Sequence, residues 1–419
     1  MSTRFKSIIA WAIMLCLFTA MFAGCSRDEA AAGDKTGQKV ELELFSNKSE
    51  SKATLEALIA EFEAQNPNIH IKLNQPPEAE TVLMTRLNKN EMPDLLAIGG
   101  NATFGEIARA GAFRDMTKEA VVKSALPSYL DMLNRLVGQD NKKVYGIPYA
   151  TNANGVLYNK DQFKELGLEI PKTWDELVAV AEKIKSAGKT PFYFTLGDAW
   201  TGLIGWNALA ANIPSKDFTE KRHEGATTFK AEYGEVADKV LKLLDYGHDD
   251  NFGKKYPDGN NAFANGASVM YLQGNWAISD IRKANPNMNL GIFAFPATNN
   301  VEQNKLVSGV DVLLTVSANT KHPKEAMKFI EFMTRKEIAE RYITEQFALS
   351  AVNGVIQKDP IMDGIAVNFE KNRITSFPDH YYPPGMQIAN LLQAYLSDRD
   401  KEGFLSRMDE EWDNVKNRQ

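Results

Sequence analysis

Two tryptophans stand just after strand-like segments, where an exposed ring could bind a small molecule. Trp276 follows the segment 268–272 within a Gly-Asn-Trp run, and Trp200 follows the aromatic segment 192–194. An indole face can cover the apolar C–H groups of a ligand such as a sugar ring. Both residues are therefore predicted to stack on a ligand, with packing inside the protein as the alternative. The Tyr-Tyr-Pro-Pro loop at 381–384 is a further candidate for the rim of such a site.

Polar side chains occupy similar positions at the ends of other predicted strands. Asn47 and Lys48 follow a strand at 40–44. Asn101 follows a Gly-Gly break after a short apolar segment, and Asp311 lies in a Gly-Val-Asp run. Amides and carboxylates can pair with hydroxyl groups, and ligands of α/β proteins usually bind beyond the carboxyl ends of the strands. These four residues are predicted to contact a ligand, with helix capping or loop hydrogen bonds as the alternative.

The chain contains none of the sequence patterns that are expected of a catalytic or metal centre. It has no Gly-x-Ser-x-Gly, P-loop, Gly-x-Gly-x-x-Gly or His-Glu-x-x-His motif. Its five histidines do not have metal-ligand spacing. A glycosidase would need two carboxylates about 5–9.5 Å apart, and no acidic residue stands in a recognisable catalytic context. We therefore expect no catalytic residue, no metal, no cofactor and no enzymatic activity.

The N-terminal segment has the order of charged and apolar residues that is typical of a secretory signal. Arg4 and Lys6 precede an almost wholly apolar run at 8–22, which ends in two small residues. The run is short for a helix that must cross a hydrocarbon core of about 30 Å. Residues 1–24 are therefore predicted to be a signal peptide, with an uncleaved membrane anchor as the alternative.

Cys25 would become the first residue of the mature chain. The sequence Phe-Ala-Gly-Cys resembles a bacterial lipoprotein lipobox, although Phe22 stands where leucine is usual. The resemblance implies a diacylglyceryl group on the Cys25 sulfur, which would hold the protein on the outer face of the cell membrane. The other cysteine, Cys16, lies in the signal, so no disulfide is expected. Residues 25–38 are rich in Ala, Gly and polar residues and are predicted to form a flexible tether.

Charge and length restrict the partners and the number of domains. The formal net charge is −6, and no run of basic residues is present. An acidic chain without a basic run does not favour binding to nucleic acid. The length that follows the tether exceeds what one hydrophobic core usually serves, so we expect two lobes.

Strand and helix patterns alternate along the body of the chain, which favours an α/β fold with largely parallel sheets. Apolar residues at every second position predict strands at 40–44 and 69–73, and an apolar stripe predicts a helix at 55–62 between them. Two strand-like segments, 145–149 and 156–158, flank a polar stretch that is predicted to be a turn.

Four stretches of the body resemble the extracellular solute-binding proteins of family 1, the maltose-binding-protein-like class. The stretches are FEAQNPNIHIKL (62–73), YGIPYATNANGVLYNKDQFKELGLEIPKTWDEL (145–177), AFANGASVMYLQGNWA (262–277) and residues 308–332, which hold GVD and the helix HPKEAMKFIEF. The resemblance covers nearly the whole mature chain. It implies a two-lobed, type II periplasmic-binding-protein-like α/β fold with the ligand cleft between the lobes, and it matches Trp276 to the aromatic platform of the family.

The same resemblance implies that each lobe combines separate chain segments. The predicted segments are residues 39–147 with 297–345 for lobe 1, and residues 148–296 with 346–419 for lobe 2. The chain would then cross between the lobes near residues 148, 296 and 346, and these crossings would form a hinge. Tyr149 and Asn152 flank the first crossing and are predicted to contact the ligand.

The resemblance further implies a monomeric receptor that binds a carbohydrate, predicted to be an oligosaccharide, and delivers it to the permease of an ABC importer. Its location would be extracytoplasmic, with the N-terminal lipid in the membrane. Other solutes suit the same fold, either a polyamine or an acidic metabolite that Lys48 could bind. A ligand-sensing partner of a membrane kinase is a further alternative, and a secreted glycosidase is the least favoured.

Overall fold

Strands and helices alternate along the chain, as the sequence predicts. The computed structural model describes residues 39–138, 141–371, 373–383 and 385–416. The predicted signal peptide, Cys25 and tether lie outside these residues. The strands of the described part are β1 (Val40–Ser46), β2 (Ile69–Asn74), β3 (Leu95–Ile98), β4 (Ile147–Asn159), β5 (Met270–Gly274), β6 (Leu290–Phe293), β7 (Leu306–Val316), β8 (Leu349–Ser350) and β9 (Ile374–Thr375).

Helices occupy most of the segments between the strands. The α-helices of the described part are α1 (Lys52–Gln65), α2 (Ala79–Asn88), α3 (Ala102–Arg109), α4 (Pro127–Val137), α5 (Lys160–Glu165), α6 (Trp174–Ser186), α7 (Leu203–Ala210), α8 (Phe218–His223), α9 (Phe229–Glu232), α10 (Gly234–Leu244), α11 (Tyr256–Ala264), α12 (Ile278–Ala284), α13 (Pro323–Met333), α14 (Lys336–Gln346), α15 (Asp363–Glu370), α16 (Ile388–Asp398) and α17 (Lys401–Lys416). Short 3₁₀ turns lie at Ser49–Ser51, Ala120–Ser124, Ala199–Gly202, Asn275–Ala277, Pro360–Met362 and Pro378–Tyr381.

Helix α1 illustrates how the apolar stripes produce the layers. Leu55, Leu58 and Phe62 repeat at helical spacing, and all three are buried. The Phe62 ring packs edge-on against Phe329 and Phe332 of α13, with ring centroids 5.2 and 5.4 Å away. Edge-to-face contacts of this kind add to the burial energy of aromatic rings. The contact therefore joins the beginning of the chain to a segment that lies far along the sequence.

The sheet is mixed, so the predicted largely parallel arrangement is wrong. The strand order is β2-β1-β3-β7-β4-β5, with β6 and β8 on β4 and β9 on β7. The pairs β1–β2, β1–β3 and β7–β9 are parallel, whereas β7 runs antiparallel to both β3 and β4. Strands β5 and β6 are also antiparallel to β4. Strand β4 runs opposite to each strand that pairs with it, and β7 also runs opposite to β3. Antiparallel pairs therefore outnumber parallel pairs in the described part of the sheet.

Strand β4 is one continuous strand rather than two segments around a turn. Its pairing with β7 is irregular between Pro148 and Thr151, but the strand then continues to Asn159. Some of the polar side chains inside it have partners. Asn154, for example, is buried and donates its side-chain amide to the carbonyl of Ile204 at 2.8 Å. Thr151 Oγ1 and Asn154 Oδ1, in contrast, are buried and have no partner among the described residues. The backbone of residues 151–153 pairs with β7, and this continued pairing explains why the predicted turn is absent.

The segment 192–194 is likewise not a full strand. Phe192 makes a single bridge to Met270 at the start of β5. The backbone N–H of Phe192 donates to Tyr246, and His248 Nε2 lies 2.9 Å from the carbonyl oxygen of Phe194. Loop and side-chain groups therefore take the hydrogen bonds that a neighbouring strand would have provided.

Two lobes are distinguished by their hydrophobic cores. The first-lobe core includes Leu42, Leu58 and Phe329, and the second-lobe core includes Leu177, Trp206 and Trp412. Trp206 and Trp412 are fully buried.

The crossing segments change from one core to the other within short stretches. Along β4, Ala150 packs in the first lobe and Ala153 in the second. Along β7, Leu306 packs in the second lobe and Val310 in the first. A third change follows residues Val352 and Val355, which still pack in the first lobe. These changes lie within β4, within β7 and after Val355.

Candidate functional site

A cleft of about 1120 Å³ lies between the two lobes. One side is formed by Asn47, Lys48, Asn101, Asn152 and Asp311, which we call the polar wall. The second lobe contributes Trp200, Tyr256 and Trp276, which we call the aromatic wall. Asn47, Lys48 and Asn101 follow the carboxyl ends of two parallel strands, where ligands of α/β sheets usually bind.

An ion pair lies at the centre of the polar wall. Lys48 Nζ donates to Asp311 Oδ1 at 2.6 Å, and the amide of Asn152 donates to the same oxygen at 3.1 Å. The side-chain carbonyl of Asn152 accepts the backbone N–H of Gly309 at 3.2 Å. Asn152 and Gly309 are opposite each other on the paired strands β4 and β7, so the strand register fixes this group.

The charges of the polar wall influence one another strongly. Burial acts to lower the pKa of Lys48, but the Asp311 and Glu50 carboxylates outweigh it and raise that pKa above its usual value. Burial also raises the pKa of Glu50, and the Lys48 ammonium only partly opposes this. Lys48 therefore remains protonated and is neutralised by Asp311.

The two asparagines of the first lobe differ in how their side chains are used. Asn101 caps α3 by accepting the backbone N–H of Phe104 at 3.2 Å, and its amide donates to Glu80 at 2.7 Å. Asn101 therefore caps a helix, as the alternative prediction stated, and it also borders the cleft. The carbonyl oxygen of the Asn47 side chain is buried, and no hydrogen-bond partner for it occurs among the described residues.

Trp276 forms the inner part of the aromatic wall. It lies on the 3₁₀ turn that follows β5 and is partly buried. Its indole Nε1 donates to the side-chain carbonyl of Gln273 at 3.1 Å. The indole therefore keeps its polar atom inside the protein, and its aromatic surface borders the cleft.

Trp200 and Tyr256 form a second aromatic surface at the edge of the cleft. Their ring centroids are 5.1 Å apart, and Trp200 is 40% exposed. Burial raises the pKa of Tyr256 above its usual value. Even the usual tyrosine pKa of about 10 leaves the hydroxyl protonated, and able to donate a hydrogen bond, at physiological pH.

Tyr149 is the predicted site residue that the structure does not bring to the cleft. It is only 1% exposed, and its ring packs against Tyr342 with a centroid distance of 5.0 Å. The side chain points into the first-lobe core. Asn152, three positions later and beyond the irregular pairing, borders the cleft instead.

The C-terminal part of the chain contributes cleft residues that the sequence did not single out. Asp379 and Asn207 border the cleft, and the backbone N–H of Asp379 approaches the Asn207 side-chain oxygen at 3.4 Å. Burial raises the pKa of Asp379, and neighbouring His380 and Asn207 oppose this only partly. The Asp379 Oδ1 atom is buried and has no hydrogen-bond partner within the described chain. Tyr382, from the predicted rim loop, also borders the cleft.

Two kinds of feature are absent from the described residues. No group of three or more His, Cys, Asp or Glu side chains there is arranged to hold a metal ion. No described helix combines the length and the apolar character needed to cross a membrane.

Comparison with known proteins identifies relatives over most of the chain. The family described as bacterial extracellular solute-binding protein matches residues 46–340. A multiple sugar-binding protein of Streptococcus mutans is 35% identical over 360 residues, which are 81% of this chain and 81% of that protein. The melibiose/raffinose/stachyose-binding protein MelE of Bacillus subtilis is 25% identical over 343 residues, 78% of each protein.

Solved structures share the same architecture. The binding protein RafE in complex with raffinose superposes with a TM-score of 0.82 at 30% identity, covering 90% of this chain and 100% of that one. The apo form of RafE from Streptococcus pneumoniae gives a TM-score of 0.76 at 31% identity, covering 94% and 100%. These likenesses support the two-lobed α/β fold that the sequence predicts.

Proposed function

The chain belongs to the bacterial extracellular solute-binding protein family, and we propose that it is the carbohydrate receptor of an ABC importer. The family consists of binding proteins and not enzymes, and its members work outside the cytoplasm. In our proposal an oligosaccharide binds in the cleft between the lobes, and the liganded receptor delivers it to the membrane permease. The sugar-binding relatives in S. mutans and B. subtilis support this choice of ligand.

The observation that carries the proposal is the contrast between the two sides of the cleft. A sugar ring has an apolar C–H face and a rim of hydroxyl groups. The aromatic wall provides rings that can cover the C–H face. The polar wall provides amide and carboxylate groups that can pair with the hydroxyls. A cleft with both surfaces suits a neutral carbohydrate better than an apolar molecule or a metal ion.

The aromatic wall favours an oligosaccharide over a monosaccharide. Trp200 packs against Tyr256, and no ring contact found in the described chain joins Trp276 to either of them. The wall therefore has two separate aromatic surfaces, each able to cover one sugar ring. The cleft volume of about 1120 Å³ exceeds that of typical pockets for small ligands, which reach about 1,000 Å³.

The charges of the cleft do not favour an acidic solute. The lysines that border it are Lys48, Lys52 and Lys283, and each has a carboxylate partner: Asp311 at 2.6 Å, Glu56 at 3.9 Å and Asp280 at 3.0 Å. An acidic ligand would have to compete with these carboxylates for the ammonium groups. A polyamine would suit the same fold and is tested below, and a role as sensor partner of a kinase stays an alternative with the same fold.

The lobe division supports a hinge that closes on the ligand. We propose that the chain crosses between the lobes within β4, within β7 and after Val355, where the core packing changes. The predicted boundaries near residues 148, 296 and 346 stay a prediction. Closure about a few residues in strands and loops is the usual motion of two-lobed receptors.

We further propose that the receptor is a monomer that is held on the membrane by a lipid on Cys25. The predicted signal peptide (residues 1–24) and tether (residues 25–38) support this, and they lie outside the described residues. Metabolic labelling with a palmitate analogue should mark the wild-type protein and not Cys25→Ser. Equal labelling of both proteins would remove the anchor from the proposal.

The binding proposal is tested with the full chain, purified in detergent, and a panel of ligands. The panel contains raffinose, stachyose, their monosaccharides, glucuronate and spermidine. A ligand at a hundred times its Kd should add about 2.7 kcal/mol to the free energy of unfolding and raise the melting temperature by about a few degrees. A shift with oligosaccharides alone supports the proposal. A shift with spermidine or glucuronate alone would replace carbohydrate as the ligand, and a cleaved sugar would overturn the receptor role.

A further inference from the structure

The indole of Trp276 is held from two directions by the end of strand β5. Its Nε1 donates to Gln273 at 3.1 Å, and Gln273 is fully buried. Gln273 and Gly274 pair with Gly155 and Asn154 on β4. A side chain on a buried, paired strand residue has little freedom to move, so the hydrogen bond restricts the direction in which the indole N–H points.

Gly274 restricts the plane of the same ring. A Cβ atom added to Gly274 would lie 2.0 Å from Cζ3, 2.3 Å from Cη2 and 2.4 Å from Cε3 of Trp276. These three atoms belong to the six-membered ring, so the ring lies directly on the Cα of Gly274. The backbone of Gly274 is extended, with φ −114° and ψ −176°, a conformation that any residue can adopt. The lack of a side chain is therefore required by the ring and not by the backbone.

From these contacts we infer that Gln273 and Gly274 are positioning residues for ligand recognition by Trp276; the inference rests on the proposed carbohydrate-binding function. Gly274 supports the ring from one side, and Gln273 keeps the N–H away from the cleft. Trp276 then offers the ligand an aromatic surface and no hydrogen-bond donor. This selects the apolar C–H face of a pyranose, and it assigns the recognition of hydroxyl groups to other side chains.

A double-mutant cycle between Gly274 and Trp276 tests the support of the ring. Titration calorimetry with raffinose is carried out on the full chain in detergent. Trp276→Ala should raise the Kd about thirtyfold, as for a residue that dominates an interface. Gly274→Ala should raise it to a similar extent, because the new methyl displaces the ring. In the Trp276→Ala background the same methyl has nothing to displace, so the double variant should bind like Trp276→Ala.

Two results of the cycle would overturn the inference. One is wild-type affinity in Gly274→Ala. The other is a double variant whose losses are the sum of the single losses, since the methyl would then act on something other than Trp276. Unfolding curves of every variant show whether a variant binds weakly only because it no longer folds. The Gln273 variants provide an independent test that leaves Gly274 unchanged.

The hydrogen bond is tested with Gln273→Met and Gln273→Glu. Methionine has a similar length and no oxygen, whereas glutamate keeps an oxygen acceptor. Gln273→Met should raise the Kd for raffinose about fivefold, the typical value of one hydrogen bond, and Gln273→Glu should restore part of this loss. Equal affinities of Gln273→Met and the wild type would contradict the role of Gln273.

A measurement without ligand separates this inference from the proposed function. In the ¹⁵N-tryptophan-labelled chain, the Trp276 indole N–H resonance is the one that is absent from Trp276→Ala. It should exchange slowly with water in the wild type and faster in Gln273→Met. If no sugar binds to the wild type, the proposed function fails while slow exchange still supports the fixed ring. If sugars bind but the exchange is fast in the wild type, the inference fails alone.

Discussion

The two walls of the cleft differ in how their side chains are engaged without a ligand. On the polar wall, Lys48 and Asp311 bind each other, and Asn152 donates to the same carboxylate. On the aromatic wall, Trp276 has satisfied its N–H inside the protein, and Trp200 leaves 40% of its surface exposed. A ligand must therefore compete with existing hydrogen bonds on one wall and needs only to displace water from the other.

This difference indicates how affinity and specificity are divided. Burying aromatic surface is favourable in nearly any orientation, since the hydrophobic effect has no direction. Exchanging hydrogen bonds gives little net free energy but penalises a ligand whose hydroxyl groups are misplaced. We expect the aromatic wall to provide most of the affinity for carbohydrates and the polar wall to discriminate between them. The following predictions alter one wall at a time.

The largest expected effect comes from breaking the pair in the polar wall. Lys48→Met leaves the Asp311 carboxylate with Asn152 as its main partner, and both members of the pair are less than 20% exposed. The free energy of unfolding should fall by about 1–3 kcal/mol in urea denaturation, the cost of leaving a buried polar group unpaired. Lys283→Met serves as the control, since the Lys283–Asp280 pair is exposed and should change stability by less than about 1 kcal/mol.

The double variant Lys48→Met/Asp311→Asn sharpens this test. It removes both charges, so much of the lost stability should return. If the double variant were as unstable as Lys48→Met, the carboxylate would not be the cause. Equal losses in Lys48→Met and Lys283→Met would mean that the polar wall is no more strongly paired than the surface.

A smaller effect is expected when the outer aromatic surface is removed. Trp200→Ala should raise the Kd for raffinose about fivefold, the middle of the range that one aromatic contact contributes. The Kd for a monosaccharide should change less, because a single sugar ring can remain on Trp276. Titration calorimetry with both ligands measures the difference. Tyr256→Phe is the matched control, since it keeps the ring beside Trp200. A loss of the same size for the monosaccharide would contradict the two-surface arrangement.

The position of several cleft residues could be predicted because it depends on strand ends, whereas Asn152 and Asp311 lie inside β4 and β7. Asn47, Lys48 and Asn101 follow β1 and β3, which are parallel neighbours, and Trp276 follows β5. Local patterns of alternating apolar residues identify such ends. The two-lobed fold could be predicted from the length of the chain and from its resemblance to a known family, whereas the local patterns gave the wrong strand directions and a turn within β4.

Tyr149 and Asp379 depend on features that no local pattern contains. The direction of Tyr149 follows from the irregular pairing of β4 with β7, which decides the side of the strand on which each residue lies. Asp379 borders the cleft because its loop packs against Asn207, 172 positions earlier in the sequence. Contacts over such distances are set by tertiary packing.

Asp379 gives the smallest predicted effect and tests whether its carboxylate, of which one oxygen has no partner within the described chain, belongs to the binding site. Burial raises its pKa in the folded protein, so its contribution to stability is present below the usual carboxyl pKa and is lost as the pH rises through the folded pKa. Asp379→Asn should therefore stabilise the unliganded chain at pH 7 by about 0.5 kcal/mol or more. The gain should vanish near pH 3, where the wild-type carboxyl is protonated in both states.

Binding measurements decide whether the Asp379 carboxylate contacts the ligand. If Asp379 pairs with ligand hydroxyls, Asp379→Asn should bind raffinose more weakly at pH 7 although the protein is more stable. Thermal unfolding with and without raffinose, at pH 7 and near pH 3, records both effects in one experiment. A more stable variant with unchanged affinity would mean that Asp379 is a strained structural residue. Hydrogen bonds to the ligand would then come mainly from the polar wall.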